Sequence, residues 1–183
     1  MLQPSRKATM RWEQISGVRG FLAVFIGTAG GAGFFPLAPG TMGTLVAVPL
    51  AFYTASWDWS FRLALWVGLT LIGTWSAKVF DETMGTSDNQ HIVIDEVVGY
   101  GITSWTCGTG AVPLLVAFVL FRAFDIIKPP PVRQLDRWSK IKASSKSEIG
   151  RWWGGFGVIG DDIVAGFQAL LVIIALQHFG ILS

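Results

Sequence analysis

Three long runs of residues without a formal charge constrain this 183-residue chain more than any other feature. Thirty-eight such residues separate Arg19 from Asp58, twenty-five separate Glu96 from Arg122, and twenty-one follow Asp162. A helix needs about twenty predominantly apolar residues to cross the hydrocarbon core of a bilayer. Runs of this length predict an integral membrane protein. Composition agrees: only 14% of the residues are charged, against about 25% in soluble domains. Nine Trp and thirteen Phe suit a chain anchored at a lipid–water boundary.

The same counts exclude several function classes. A net charge of +2 is too small to favour a nucleic-acid partner. The single cysteine, Cys107, excludes an internal disulfide and a multi-cysteine zinc site, and two histidines make an imidazole metal site a poor reading. The length suits one domain. We read residues 1–19 as a basic tail or short surface helix and 20–183 as one membrane-embedded helical domain. The basic start followed by Phe21–Ile26 imitates a secretory leader, but the apolar part is short and lacks a cleavage site, so the segment is expected to be retained.

Along the chain, "GTAGGAGFFPLAPGTMGT" (27–44) reads as a Gly/Pro-rich structured loop. Apolar helices are expected over 45–57 and 61–77, then a polar loop over 78–94. Residues 122–162 carry eight of the fourteen Lys and Arg, and basic loops stay cytoplasmic. With the N-terminal tail also inside, 97–121 must begin and end on one side. It is expected to be a hairpin of two short helices bent near Cys107–Gly110. The triple proline at 129–131 ends a helix, and a last helix is expected from about Asp161 to His178.

That topology gathers acids at the inner face. Asp95 and Glu96 stand where the chain re-enters the bilayer. Arg122, Asp125 and Lys128 share one helix face at i, i+3 and i+6, and Asp161 and Asp162 open the last helix. Neighbouring carboxylates repel unless a cation neutralises them. Oxygen ligands without thiolate select Mg²⁺ or a similar hard ion, while Arg122, Lys128 and Arg133 suit a phosphate ester. Thr41 and Thr44, beside Gly40 and Gly43, suit an anion at a helix start. Blander readings stand beside these: helix-capping acids for Asp161 and Asp162, an exposed helix start for Asp95 and Glu96, and an Arg122–Asp125 ion pair. Arg137, Lys140, Lys142, Lys146 and Arg151 read as surface charges facing anionic lipid. Asp81, Glu82 and Asp88 read as solvated loop acids.

The segments "FFPLAPGTMGT", "IVIDEVVGY", "FRAFDIIKPPPVRQLDR" and "GGFGVIGDDIVAG", in this order over roughly residues 27–170, together resemble the phosphatidylglycerophosphatase A family of bacterial membrane enzymes. The resemblance implies an all-α, membrane-embedded bundle of short or broken helices. It also implies a Mg²⁺-dependent phosphatase that acts on the phospholipid phosphatidylglycerophosphate at the inner membrane surface. By motif, Asp95, Glu96, Asp125, Asp161 and Asp162 fall on its acidic positions. Arg122, Lys128, Pro129, Arg133 and Asp136 fall on its basic-proline segment, and Pro39, Gly40, Thr41 and Gly43 on its first loop. The expected roles are metal ligation by Asp95, Glu96, Asp161 and Asp162, and phosphate binding by Arg122, Lys128, Arg133, Thr41 and Gly43. Asp95, Glu96, Asp125 and Asp162 make the catalytic set. The run "SDNQH" departs from the "DPG" or "DHG" common in relatives, which removes support for Asp88 as a ligand. The rival reading from another class is a small ion or solute transporter with an intramembrane carboxylate site.

Overall fold

Backbone hydrogen bonds must be satisfied internally where water is absent, so a lipid-embedded chain of this composition has to fold as helices or a closed barrel. The computed structural model shows the former. It describes residues 13, 15–86, 88–135, 137 and 148–182, and among these there are helices and no strands. The helices are α1 (Gly17–Gly27), α2 (Pro39–Thr54), α3 (Trp59–Met84), α4 (Ile94–Thr103), α5 (Ala111–Ile127) and α6 (Glu148–His178), with a 3₁₀ turn at Ala32–Phe34. Two of them, α3 and α6, are long and apolar enough to cross a membrane. Large apolar side chains such as Phe21, Phe61, Leu71, Leu115 and Leu171 are exposed, as expected of a surface solvated by lipid. Asp136, Lys140, Lys142 and Lys146 lie outside the described residues, as does most of the N-terminal tail.

α4 is the centre of the bundle. It has only ten residues, and eight of them are buried. Its small residues explain how so many neighbours reach it. A Cβ on Gly101 would strike the ring of Trp66 in α3, and one on Gly99 would strike Phe121 in α5 and lie 2.8 Å from the Asp162 carbonyl oxygen in α6. Where association cannot draw on the hydrophobic effect, small residues let helices approach until van der Waals contact and interhelical hydrogen bonds hold them. One such bond crosses α4 to α6: the Thr103 hydroxyl donates to the Gly166 carbonyl at 3.2 Å as well as to Gly99 at 3.0 Å. On the other side of the bundle, Ser76 of α3 donates to the Ala23 carbonyl of α1 at 2.7 Å.

The expected hairpin over 97–121 is present: α4 and α5 flank a turn at 104–110. Arg62 holds that turn. It is 6% exposed, donates to the carbonyls of Trp105 at 2.7 Å and Ser104 at 3.1 Å, and lies over the Trp105 ring. Gln177, near the end of α6, donates to Thr106. The α2–α3 turn, the 104–110 turn and the C-terminus thus share one end of the bundle. At the opposite end the Val93 amide donates to Gly27 at 2.8 Å, and His91 Nδ1 lies 2.8 Å from the Gly33 carbonyl.

Several boundaries differ from expectation. The Gly/Pro-rich loop is shorter: Pro39 sits in the first turn of α2, where its missing N–H costs nothing and its fixed φ favours the helix. α3 continues through the supposed loop at 78–84 and stops at Gly85, whose left-handed φ of 64° closes it. Asp81 is therefore a helix residue. Its carboxylate accepts from the Thr86 hydroxyl and from the amides of Asp88 and Asn89, which organises the following loop and leaves Asp88 in a left-handed conformation. The largest difference is α6. It begins at Glu148 rather than near Asp161, so a segment with five glycines in thirteen residues (148–160) is helical. Gly155 pays no helix-propensity penalty alone there: it lies 2.5 Å, measured from a built Cβ, from the Thr74 carbonyl and 3.1 Å from Lys78, so close packing against α3 offsets the loss.

Candidate active site

Three helix ends meet at one level of the bundle. The N-terminus of α4 brings Asp95 and Glu96 in its first turn, and the C-terminus of α5 brings Arg122, Asp125 and Lys128. The N-terminus of α2 brings Gly40. The fourth wall is α6, which passes this level without ending, so Asp161 and Asp162 are in its interior and not at a helix start. That corrects the expectation and removes their reading as helix caps.

Register between α4 and α6 follows from a glycine pair. Asp95 lies four residues before Gly99, and Asp162 lies four residues before Gly166. Gly99 and Gly166 pack backbone to backbone, with a built Cβ on Gly166 only 2.5 Å from the Gly99 carbonyl oxygen. One helical turn away, the two aspartates consequently face the same space. One oxygen each from Asp95, Glu96 and Asp162 lie within 4.8 Å of one another. An octahedral Mg²⁺ site is about 4.2 Å across between opposite ligands, so small side-chain adjustments close this set around one ion. Asp95 is 9%, Asp161 6% and Asp162 4% exposed. Glu96 Oε2 and Asp162 Oδ2 are buried and lack a hydrogen-bond partner, which is costly unless another ligand satisfies them. Hard oxygen donors, mutual proximity and unsatisfied lone pairs together fit a divalent cation.

Charge counting points the same way. Arg122 Nη1 lies 2.7 Å from Asp125 Oδ2 and 3.7 Å from Glu96 Oε1, so it bridges α5 to α4. Lys128, in a left-handed conformation at the end of α5, pairs through Nζ with Asp161 Oδ2 and ties α5 to α6. Five carboxylates (Asp95, Glu96, Asp125, Asp161, Asp162) thus crowd around Arg122 and Lys128 at this level. Gly40 completes the wall. A Cβ there would fall on the Glu96 carboxylate and 3.2 Å from Arg122 Nη1, so only glycine lets the positive end of α2 approach this pair.

Other predicted residues lie elsewhere or act otherwise. Arg133 is exposed and its guanidinium donates to the Ile127 carbonyl at 3.5 Å. Gly43 packs against Val93, the residue before α4, at 2.7 Å from a built Cβ, so it sets helix spacing. Thr44 is buried and donates back to Gly40 at 2.9 Å, while Thr41 is partly buried in the same first turn.

The sequence motifs find a match among known proteins: the family model for phosphatidylglycerophosphatase A aligns with residues 25–177. The chain belongs to the phosphatidylglycerophosphatase A family. Among curated proteins, phosphatidylglycerophosphatase A of Escherichia coli is 34% identical over 158 residues, covering 84% of each chain. The Haemophilus influenzae protein of the same name is 33% identical over 156 residues, covering 81% of this chain and 85% of that one. A Bacteroides thetaiotaomicron protein provisionally named phosphatidylinositol-3-phosphatase is 35% identical over 169 residues, covering 84% of this chain and 92% of its own. No solved structure matches. Every residue of the acidic cluster falls inside the stretch that the phosphatidylglycerophosphatase A family shares.

Proposed function

We propose that this chain is a phosphatidylglycerophosphatase. It removes the terminal phosphate of phosphatidylglycerophosphate at the cytoplasmic face of the bacterial inner membrane, with Mg²⁺, to leave phosphatidylglycerol and inorganic phosphate. Membership of the family supports the reaction, and the carboxylate cluster with its unsatisfied oxygens is the observation that carries the metal-dependent chemistry. It also favours the enzyme over the transporter alternative, because the acids stand with Arg122 and Lys128 rather than alone.

Asp95, Glu96 and Asp162 would hold the ion. Held there, Mg²⁺ would supply positive charge against the phosphoryl oxygens and make the attacking water more acidic. Phosphoryl transfer otherwise asks mainly for positioning and charge cancellation. Arg122 offers a planar fork for phosphate oxygens, and its present carboxylate partners hold it pointed at the cluster. Lys128 adds a second positive charge beside Asp161. Asp125, held by Arg122, would accept the proton of the attacking water and pass it to the glycerol oxygen as the bond from that oxygen to phosphorus breaks. Distances along α6 support a site near one end of a membrane span: Asp162 lies about 24 Å from His178 and about 14 Å beyond Trp152 and Trp153. In this reading the phosphate enters a recess between helix ends while the acyl chains stay in lipid.

Phosphate release from phosphatidylglycerophosphate by detergent-solubilised protein tests the reading. Release should stop with EDTA, return with Mg²⁺, and be lost in Asp95→Ala, Asp125→Ala and Asp162→Ala that still fold. Full release in EDTA, or in all three variants, refutes it. The Bacteroides relative adds a second substrate to the same assay. Faster release from phosphatidylinositol-3-phosphate would keep the chemistry and replace the lipid.

A further inference from the structure

Asp81 lies outside the acidic cluster, yet its carboxylate takes three donors from the chain that leads there. The Thr86 hydroxyl donates at 2.6 Å, the Asp88 amide at 2.8 Å and the Asn89 amide at 3.2 Å. Asn89, 1% exposed, carries the connection onward. Its side-chain nitrogen donates to the Thr86 hydroxyl at 3.3 Å, and its Oδ1 accepts from the His91 amide at 3.1 Å. Its carbonyl accepts from the Ile92 amide at 2.9 Å. Val93, the residue before α4, is then held by the Gly27 carbonyl at 2.8 Å.

Depth explains why so many bonds are made here. α4 does not start level with the end of α3. A Cβ on Gly73 would lie 3.1 Å from Ile94, and Gly73 is eight residues, about 12 Å, along α3 from Asp81. Residues 88–93 therefore descend beside α3 without helical hydrogen bonds, and Asn89, Ile92 and Val93 are buried. Irregular backbone at such depth persists only where protein satisfies its polar groups. The bond to Asp81 also holds Asp88 at a left-handed φ of 61°, a conformation that L-residues adopt at a cost. Asp95 comes two residues after Val93, so the end of this descent sets where its carboxylate sits. We propose that Asp81 and Asn89 are positioning residues for the carboxylate cluster: they fix where α4 begins, and so where Asp95 and Glu96 present their oxygens. The proposal rests on the reading of that cluster as a cation site.

The test titrates purified full-length protein in neutral detergent with Mn²⁺, read by electron paramagnetic resonance, with thermal unfolding of the same samples. Asp81→Asn and Asn89→Ala should each weaken uptake on the order of tenfold at temperatures where both proteins remain folded. Asn89→Ala changes no charge, so a shared loss separates positioning from attraction between Asp81 and the ion. High salt, which screens charges at a distance, should leave the ratio to wild type in place. Thr83→Val, which removes a hydrogen bond to the Val79 carbonyl at 2.8 Å on the same end of α3, should leave uptake unchanged. Should Asp81→Asn fold poorly, Thr86→Val removes one of the three donors and carries the same sign. Hydrogen exchange over residues 88–97, measured without metal, should quicken in Asp81→Asn while exchange over 165–178 does not. Lowered melting with wild-type uptake in both variants, or unchanged exchange over 88–97, overturns the proposal and leaves the metal reading standing. A wild-type protein that takes up no Mn²⁺ overturns the metal reading, and this proposal with it.

Discussion

Replacing Gly166 with alanine tests whether the contact between α4 and α6 sets the proposed reaction centre. The new Cβ would lie 2.5 Å from the Gly99 carbonyl oxygen and 3.2 Å from Gly99 Cα. These are backbone atoms with no rotamer to yield. Restoring ordinary contact at 3.4 Å parts the helices by about 0.9 Å. It also stretches the Thr103 hydrogen bond to Gly166, now 3.2 Å. Overpacking of this kind costs about 1–3 kcal/mol. Asp95 and Asp162 each lie one turn from the glycine pair, so their carboxylates separate too, and a displacement near 1 Å costs on the order of 100-fold in rate. Thermal unfolding and phosphate release, measured together, read both effects. Gly68→Ala on α3 is the control: nothing lies within 4 Å of its Cβ position, and the exchange should be neutral or stabilising by up to about 1 kcal/mol. A Gly166→Ala protein with wild-type turnover would refute the argument that this crossing positions the carboxylates.

Gly40→Ala should cut turnover by at least about tenfold with little change in melting temperature, because its Cβ lands on the Glu96 carboxylate of the proposed reaction centre; an unaffected rate would count against α2 as a wall of the site. Arg62→Met removes donors from the Ser104 and Trp105 carbonyls, and thermal unfolding should show a loss of about 1–3 kcal/mol with the phosphatase chemistry retained. Single cysteines introduced at positions 90 and 145 should label from the same, cytoplasmic side of the membrane, while native Cys107, 6% exposed, stays silent; opposite sidedness would break the hairpin topology.

Much of the bundle could be read from charge spacing alone, because bilayer thickness converts uncharged runs into helices directly. The α4–α5 hairpin followed from the expectation that the basic segments flanking it stay on one side of the membrane. What escaped was the helicity of 148–160: the basic stretch 122–162 reads as a cytoplasmic loop, and the five glycines from 148 to 160 disfavour a helix in water. Packing of Gly155 on α3 reverses that judgement, and with it Asp161 and Asp162 move from a helix end to a helix interior. The acids themselves were legible as types at helix boundaries. Their convergence was not, because it depends on the register between α4 and α6 that Gly99 and Gly166 set in three dimensions. Arg62 drew no attention for a related reason: a lone arginine in an apolar run gives no sign of which turn it will hold. Its partners lie more than forty residues away.

Manganese binding, followed by electron paramagnetic resonance on protein stripped with EDTA and dialysed, tests the proposed shared ion most directly. Wild-type protein should take up Mn²⁺ in competition with Mg²⁺. Asp95→Asn, Glu96→Gln and Asp162→Asn should each weaken uptake at least tenfold, while Asp58→Asn, at the far end of the bundle, should not. Equal uptake by wild type and all three cluster variants would contradict a common metal site for these carboxylates.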